Sequence, residues 1–449
     1  MYKERPAMKL TNSTRLAGGI AACLALLVSA PLAANWPQWR GPLFTGASPD
    51  ARDLPVSWTE TDNVLWRTKL PSWSAATPII WNDRVFITSA EEGFAALGSR
   101  QGADGSAHDK IFLMAVNRKD GKLLWRNQID SGNRLFRKQN SASPSPITDG
   151  KHVWIMTGNG KFACFTLDGK EVWKRDIQAD YGRFGLNHGY ASTPLLHKGK
   201  LYVQVLHGMK TDDPSYVFAV DPATGKTLWK VERPTDAVTE SPDNYATPQI
   251  VTVKGQEQLV ISGGDYTTGH ALADGRELWR MGGFNPRNNP MNRTIASSIV
   301  IGENVFTTST RGRPFIGFRA GGSGTITGKN ELWTNNLGSD VPTPATDGTY
   351  IYVLNDNGVM HCLEAATGKP VYEGQRIELG TYSASPLLAD GKIYATNEEG
   401  NTTVIKAGPK FEILSVNKLD NHTLASPVAV GNQIFLRTAD YLYCFQKKN

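Results

Sequence analysis

Residues 219–229 read AVDPATGKTLW, and the stretch returns along the chain in altered forms. Residues 115–125 read AVNRKDGKLLW, 164–173 read CFTLDGKEVW, 272–279 read LADGRELW, and 362–372 read CLEAATGKPVY, with Tyr372 in the place of Trp. A weaker copy ends at Trp333. A second signal alternates with the first, a small hydroxyl residue followed by Pro: Thr77-Pro78, Ser145-Pro146, Thr193-Pro194, Thr247-Pro248, Thr343-Pro344, Ser385-Pro386 and Ser426-Pro427. Ser297-Ser298 holds the same place without the Pro. These eight anchors recur about every 50 residues, and self-similarity at a fixed period marks a repeat architecture.

Each unit follows one grammar. After the anchor come a few apolar residues, a Gly/Asp turn, an alternating strand such as residues 153–156 or 201–205, and a polar loop. A third strand, the Thr-Gly-Lys turn and a fourth strand carrying the Trp complete it. Short β-branched and aromatic runs between Gly turns are strands of a meander, and four of them in about 50 residues make one propeller blade. With 44 Gly and 25 Pro in 449 residues a helical solenoid is excluded. The expectation is an all-β, eight-bladed propeller of four-stranded antiparallel blades over residues 63–449. After Pro427 only three strands fit, whereas residues 63–70 read as an outer strand with its own Trp66. The N-terminal strand is therefore expected to complete the last blade, which removes two open sheet edges.

The first 34 residues stand apart. Lys3, Arg5, Lys9 and Arg15 precede an apolar run over 16–30 and the small residues Ala33 and Ala34, the pattern of a secretory signal peptide. An uncleaved membrane anchor is one alternative, although the run is short for a span, and lipoprotein anchoring at Cys23 is another, weakened because that Cys lies inside the apolar run. The expected location is thus periplasmic or secreted, with residues 35–62 as an N-terminal arm and no membrane span once the leader is removed. Half of the formal charge of +6 belongs to the leader, and no Lys/Arg cluster of nucleic-acid type follows it.

The A-x-D-x-x-x-G-K-x-x-W pattern resembles the tryptophan-docking motif of quinoprotein-type eight-bladed propellers. The entry segment at 35–42, NWPQWRGP, followed by Leu54-Pro55 and Trp58, is similar to that of secreted bacterial PQQ-like repeat proteins. The resemblance covers essentially all of 35–449 and implies fold more than function, since one fold hosts many activities. It implies two readings. In one, the chain is a monomeric binding or scaffolding module for a protein or other macromolecule at the cell envelope, as the propeller subunit of the outer-membrane β-barrel assembly machinery is. In the other, it is an oxidoreductase using pyrroloquinoline quinone with calcium. The larger alcohol-oxidising quinoproteins carry adjacent cysteines over the cofactor; no two Cys are adjacent here, and their calcium ligands do not map onto matching positions. No cofactor is expected on the first reading.

Most of the other distinctive residues read as structural. Trp66, Trp125, Trp173, Trp229, Trp279 and Trp333 are expected to dock on the turn of the next blade. Gly225-Lys226-Thr227 lacks the earlier Gly of a phosphate loop. Cys164, Cys362 and Cys444 fall on the third strand of non-adjacent units, too far apart for disulfides, and read as small buried residues. No His pair, CxxC or second carboxylate near Asp265 suggests a metal, and no catalytic residue is assigned. The residues just before each anchor are expected to ring one mouth of the central channel: Trp73 and Ser74, Asn140 and Ser141, His188 and Tyr190, Asp243 and Asn244, Asn292 and Arg293, Ser339 and Asp340, Thr381 and Tyr382, Asn421 and His422. Arg293, His188 and Tyr382 are expected to converge there, with the Gly-rich loop 91–109 overhanging the same face.

Overall fold

The alternation of anchor and Trp fixes where each strand lies between hub and rim. The computed structural model describes residues 1–2, 35–91, 109–136 and 138–448, so the expected leader and most of loop 91–109 lie outside the described residues. From residue 35 onward the described residues form one unit of eight mainly antiparallel blade sheets, with a two-stranded ribbon of Leu135–Phe136 and Gln139–Asn140 beside them. Blade 1 runs from hub to rim as Ile79–Trp81, Arg84–Ala90, Ile111–Asn117 and Leu123–Asp130. Blades 2 to 8 repeat this order from hub strands Ile147–Thr148, Leu195–His197, Gln249–Val253, Ile299–Ile301, Ala345–Thr346, Leu387–Ala389 and Val428–Val430. In blade 8 the outer strand is Val64–Lys69, paired antiparallel with Tyr441–Gln446, so the ring closes as expected. Two short strands add parallel edges: Ala47–Ser48 of the arm on the hub strand of blade 7, and Gly324–Thr325 on the outer strand of blade 4.

The middle strands are buried on both faces, as at Tyr216–Val220, because neighbouring blades cover each side. The outer strands alternate, as at Thr227–Glu232. In each outer strand a bulge falls at the aromatic position: Ala115 faces Trp125 and Val116 faces Leu123, leaving Leu124 unpaired. The same shift occurs at Cys164 with Trp173, Ala219 with Trp229 and Cys444 with Trp66. A bulge bends its strand and re-aims a side chain, which here turns the Trp toward the next blade and leaves the residue before it exposed. The small residue opposite makes room for the ring. That explains the three cysteines, which are free and buried.

Five of the six tryptophans dock on the next blade through the indole N–H. Trp66 donates to the Arg118 carbonyl, Trp125 to Leu167, Trp173 to Pro222, Trp229 to Leu272 and Trp333 to Ala365, at 2.8 to 3.2 Å. The turn glycine must lie flat under the ring: a Cβ on Gly121, already at positive φ, would meet Trp66 at 2.7 Å. Trp279 departs from the expectation. Its N–H donates to Gln258 Oε1 of its own blade at 2.7 Å, and the ring packs edge-on to Phe318. The receiving turn of blade 5 is lengthened over 320–330, and its Gly324–Thr325 strand occupies the blade 4 rim instead. In blade 7 Ser415 stands in the aromatic place, and Trp58 of the arm fills the space against Phe445, with its backbone N–H held by Asn417 Oδ1.

The hub is tied by the anchors themselves. The backbone N–H of seven of the eight anchors donates to the anchor hydroxyl of the next blade: Thr77 to Ser145, Ser145 to Thr193, Thr193 to Thr247, Thr247 to Ser297, Ser297 to Thr343, Thr343 to Ser385, and Ser385 to Ser426, at 2.8 to 3.4 Å. Ser297 keeps this role without the following Pro. At the seam, buried Arg437 of blade 8 donates to the Ser72 and Ser74 carbonyls ahead of blade 1. Replacing one hydroxyl strands a buried N–H, which costs about 1–3 kcal/mol. Ser297→Ala is expected to lower unfolding free energy by about that amount in urea titration; a loss within error of zero would show that the hub bonds do not hold the blades.

Candidate functional site

The hub strands enclose a central channel of about 380 Å³, lined by the anchor hydroxyl residues and by Trp39, Phe136, Lys138, His188, Tyr245, Arg293, Asp340, Asp356 and Tyr382. Its two ends differ. Chain direction puts the residues before each anchor at one end and the residues after it at the other. The arm crosses the second end. Trp36 and Ile80 exchange backbone hydrogen bonds, Thr148 N–H donates to the Pro37 carbonyl, and Leu196 N–H donates to Gln38 Oε1. Arg40 Nη1 and Nη2 donate to the carbonyls of Pro386 at 2.9 Å and Pro344 at 2.7 Å. Beyond them Thr346, Leu388 and Ala429 bond to Thr45, Gly46 and Ser48. One segment thus touches the hub strands of six blades. Arg40 is 3% exposed, and burial without a carboxylate pulls its guanidinium down to about 9. Gly46 is required beside it, because a Cβ there would lie 1.9 Å from Arg40 Nη2.

At the open end, the residues singled out from sequence divide into two kinds. Trp73, Asn140, Tyr190, Asn244 and Tyr382 are buried struts. Asn140 Nδ2 donates to the Trp73 carbonyl while Oδ1 accepts from Ala142 N–H. Asn244 Oδ1 accepts from Gln204 Nε2 and Ala246 N–H, and its Nδ2 donates to the Ser262 carbonyl. The hydroxyls of Tyr190 and Tyr382 donate to the carbonyls of Gln204 and Glu378. Each amide or hydroxyl satisfies a backbone group at a strand end, as buried polar groups must. Tyr382 lines the channel with its ring packed over Gly358.

His188, Arg293, Asp340 and His422 are partly exposed. His188 and Arg293 meet through Glu240, a residue that no sequence signal marked. Glu240 comes from the connection between blades 3 and 4, and its side chain is 2% exposed. Its Oε1 lies 3.0 Å from Asn187 Nδ2, 3.3 Å from His188 Nε2 and 3.9 Å from Arg293 Nε. Beside it, fully buried Asp243 accepts from the N–H groups of Asn187, Gly208 and Met209, yet burial and the Glu240 charge push its carboxyl up to about 6. Asp340 stands across the channel wall beside Asp356, whose carboxyl burial and the Asp340 charge raise to about 6. His422 packs near Glu398 and Glu399, and burial lowers its imidazole. The open end therefore carries His188 and Arg293 on a buried acid at one side and a self-repelling acidic pair at the other.

Quinone with calcium would need oxygen donors converging in this channel. Among the described residues no three of His, Cys, Asp and Glu stand together as a metal set. The anchor hydroxyls are engaged by hub N–H groups, and the channel lining offers two carboxylates, Asp340 and Asp356, four oxygens at most where calcium takes six to eight. The residues present do not fit that group, and no step is derived through it.

The acidic pair sets a pH dependence. A carboxyl whose folded pKa is raised binds more protons in the folded state, so stability falls as pH rises from about 4 to about 6 and stays lower above. Asp356→Asn removes that loss and is expected to stabilise the protein by about 1–2 kcal/mol at pH 7 and by nothing near pH 3.5. Denaturant titration at both pH values checks it; equal effects at both would mean that the gain is not electrostatic.

Comparison with known proteins gives the family. A family model described as outer membrane protein assembly factor BamB matches residues 108–373 and 322–408. The assembly factor BamB of Shewanella oneidensis is 22% identical over 316 residues, which is 67% of this chain and 69% of that protein. The crystal structure of BamB from Moraxella catarrhalis is similar with TM-score 0.55 and 14% identity, covering 86% of this chain and 98% of that one. Quinohemoprotein alcohol dehydrogenase from Comamonas testosteroni is similar with TM-score 0.65 and 10% identity, covering 93% and 81%. At such identities the two structural likenesses speak for the propeller alone. The family match, by contrast, spans more than half of the sequence, and on it the chain belongs to the family of outer membrane protein assembly factor BamB.

Proposed function

We propose that this propeller is a protein-binding scaffold of the bacterial cell envelope, and that it engages its partner at the open end of the channel. The observation that carries the reading is the asymmetry of the two ends. The arm spends its backbone and Arg40 on sealing one end, whereas the other keeps partly exposed His188 and Arg293 over buried Glu240. The Arg293 guanidinium makes no hydrogen bond among the described residues, and buried Nε has no partner closer than Glu240. A preorganised arginine at a concave mouth is a strong recognition group, since its planar fork pairs with carboxylates and carbonyls at small entropic cost. Family membership supports an assembly role, and the leader pattern at 1–34 supports an envelope location.

Photo-cross-linking in the native envelope tests it. A photoreactive residue at Thr381 or Asn336, near the open end, is expected to capture a defined protein, while one at exposed Leu43 by the arm is expected to capture none. Combining the probe with His188→Gln and Arg293→Lys, which keep donors facing buried Glu240, is expected to cut the yield severalfold while the protein stays folded by circular dichroism. Capture from Leu43 alone, or no capture from either mouth position, would overturn the reading.

A further inference from the structure

Next to the channel mouth lies a larger open cavity of about 790 Å³, between the connection that leads into blade 5 and the Thr310–Gly312 turn of the same blade. Four arginines line it, Arg287, Arg293, Arg311 and Arg313, against a single carboxylate, Glu240. Glu240 is already engaged by Asn187, His188 and Arg293. Among the described residues, the guanidinium groups of Arg287, Arg311 and Arg313 have no carboxylate within 4.0 Å and no hydrogen-bond acceptor. Elsewhere the partly exposed Arg84 and Arg175 do pair with acids, Asp168 and Asp180. The cavity thus carries about three uncompensated positive charges in a concave space, where the field of like charges adds.

The walls are not uniformly cationic. Asparagines fill the gaps. Asn285 and Asn292 are used up holding Asp265, which fixes the loop. By contrast Asn187 Oδ1, Asn289 Nδ2 and the Asn336 amide have no intramolecular partner among the described residues. Inorganic phosphate or a sulfated sugar offers these amides mainly acceptors. An extended peptide offers alternating N–H donors and carbonyl acceptors along with carboxylates, and so uses both ends of an amide and the arginine forks together. Non-glycine Arg311 is held at φ 57° by the Gly312 N–H to Ser309 carbonyl bond, and the Thr310 hydroxyl donates to the Arg293 carbonyl, so two of the arginines are coupled through one turn.

We propose that this cavity binds an acidic, extended peptide segment of the partner protein, with Arg287, Arg293, Arg311 and Arg313 pairing to its Asp or Glu side chains. The proposal rests on the reading of the open end as a docking end and names the chemistry of what docks. Single exposed arginine–carboxylate pairs contribute little, so affinity comes from several pairs at once and falls with salt.

The test uses the chain from residue 35 onward and a fluorescent hexaglutamate peptide. Anisotropy at about 50 mM salt is expected to saturate, and at about 0.5 M salt the affinity is expected to fall at least about tenfold. The triple variant Arg287→Ala, Arg311→Asn, Arg313→Ala is expected to lose at least about tenfold at an unchanged melting temperature, Asn being chosen because it tolerates positive φ. Should that variant melt early, Arg287→Lys with Arg313→Lys, which keep the charge and lose the fork, are expected to weaken binding by a smaller factor. Absence of saturable binding at low salt would overturn the proposal, as would equal binding by the variants. So would displacement of the peptide by tripolyphosphate or a sulfated oligosaccharide at lower concentration than by unlabelled peptide. Mouth cross-linking that persists in the triple variant would remove this proposal and leave the scaffold reading standing.

Discussion

The hub bonds between consecutive anchors are the constraint on which the rest depends. At each anchor the chain must turn inward, and the following Pro of seven units contributes no N–H of its own. The anchor's backbone N–H is then left pointing into a buried hub, where an unmet donor is costly. The neighbouring anchor's hydroxyl meets it, so each blade satisfies the blade before it. Such a chain of obligations has no natural end except closure. That is why the first strand of the propeller, Val64–Lys69, joins the last blade, and why Arg437 is buried across the seam.

At the rim the same logic works through aromatic rings. A bulge opposite a small residue aims each Trp at the next blade's turn, and the indole N–H caps a carbonyl there. Where the pattern fails, something else fills the space. Tyr372 packs on Phe411 in place of a Trp, and Trp58 of the arm serves blade 7, whose own strand offers only Ser415. Having been drawn along blades 7 and 8 for that purpose, the arm also runs under the hub and seals one end of the channel. One segment therefore closes a gap in the rim and makes the channel one-ended, which gives the molecule a direction.

That direction concentrates the chemistry. On the open side two buried acids, Glu240 and Asp243, hold the loops that present His188 and Arg293, and the neighbouring arginines have no acid of their own. A few residues along the mouth Asp340 and Asp356 crowd each other. Opposed patches of charge at one rigid rim favour orientation of a partner over raw affinity. The cost is local: Asp356 and Asp243 are held above the ordinary carboxylate range by burial and by like charge.

The repeat made the fold legible. Anchor, turn and Trp recur in register, so blade number, strand order, closure by residues 63–70 and the buried cysteines all followed from local pattern, because each depends on contacts within one unit or with the next. Trp279 was misleading for the same reason, since its partner turn had been lengthened in a different unit. The mouth is a different matter. Sequence spacing puts Asn140, Tyr190, Asn244 and Tyr382 just before the anchors, but whether a polar side chain faces a channel or a strand end is decided by which backbone group nearby lacks a partner, and that is a property of the packed blades. Glu240 and the arginines at 287, 311 and 313 carry no motif at all; they lie in connections of irregular length, and only the closed ring brings them around one cavity. What the sequence by itself determined was the repeating blade; which residues share a site was decided by tertiary structure, because the site is assembled from loops that the repeat does not govern.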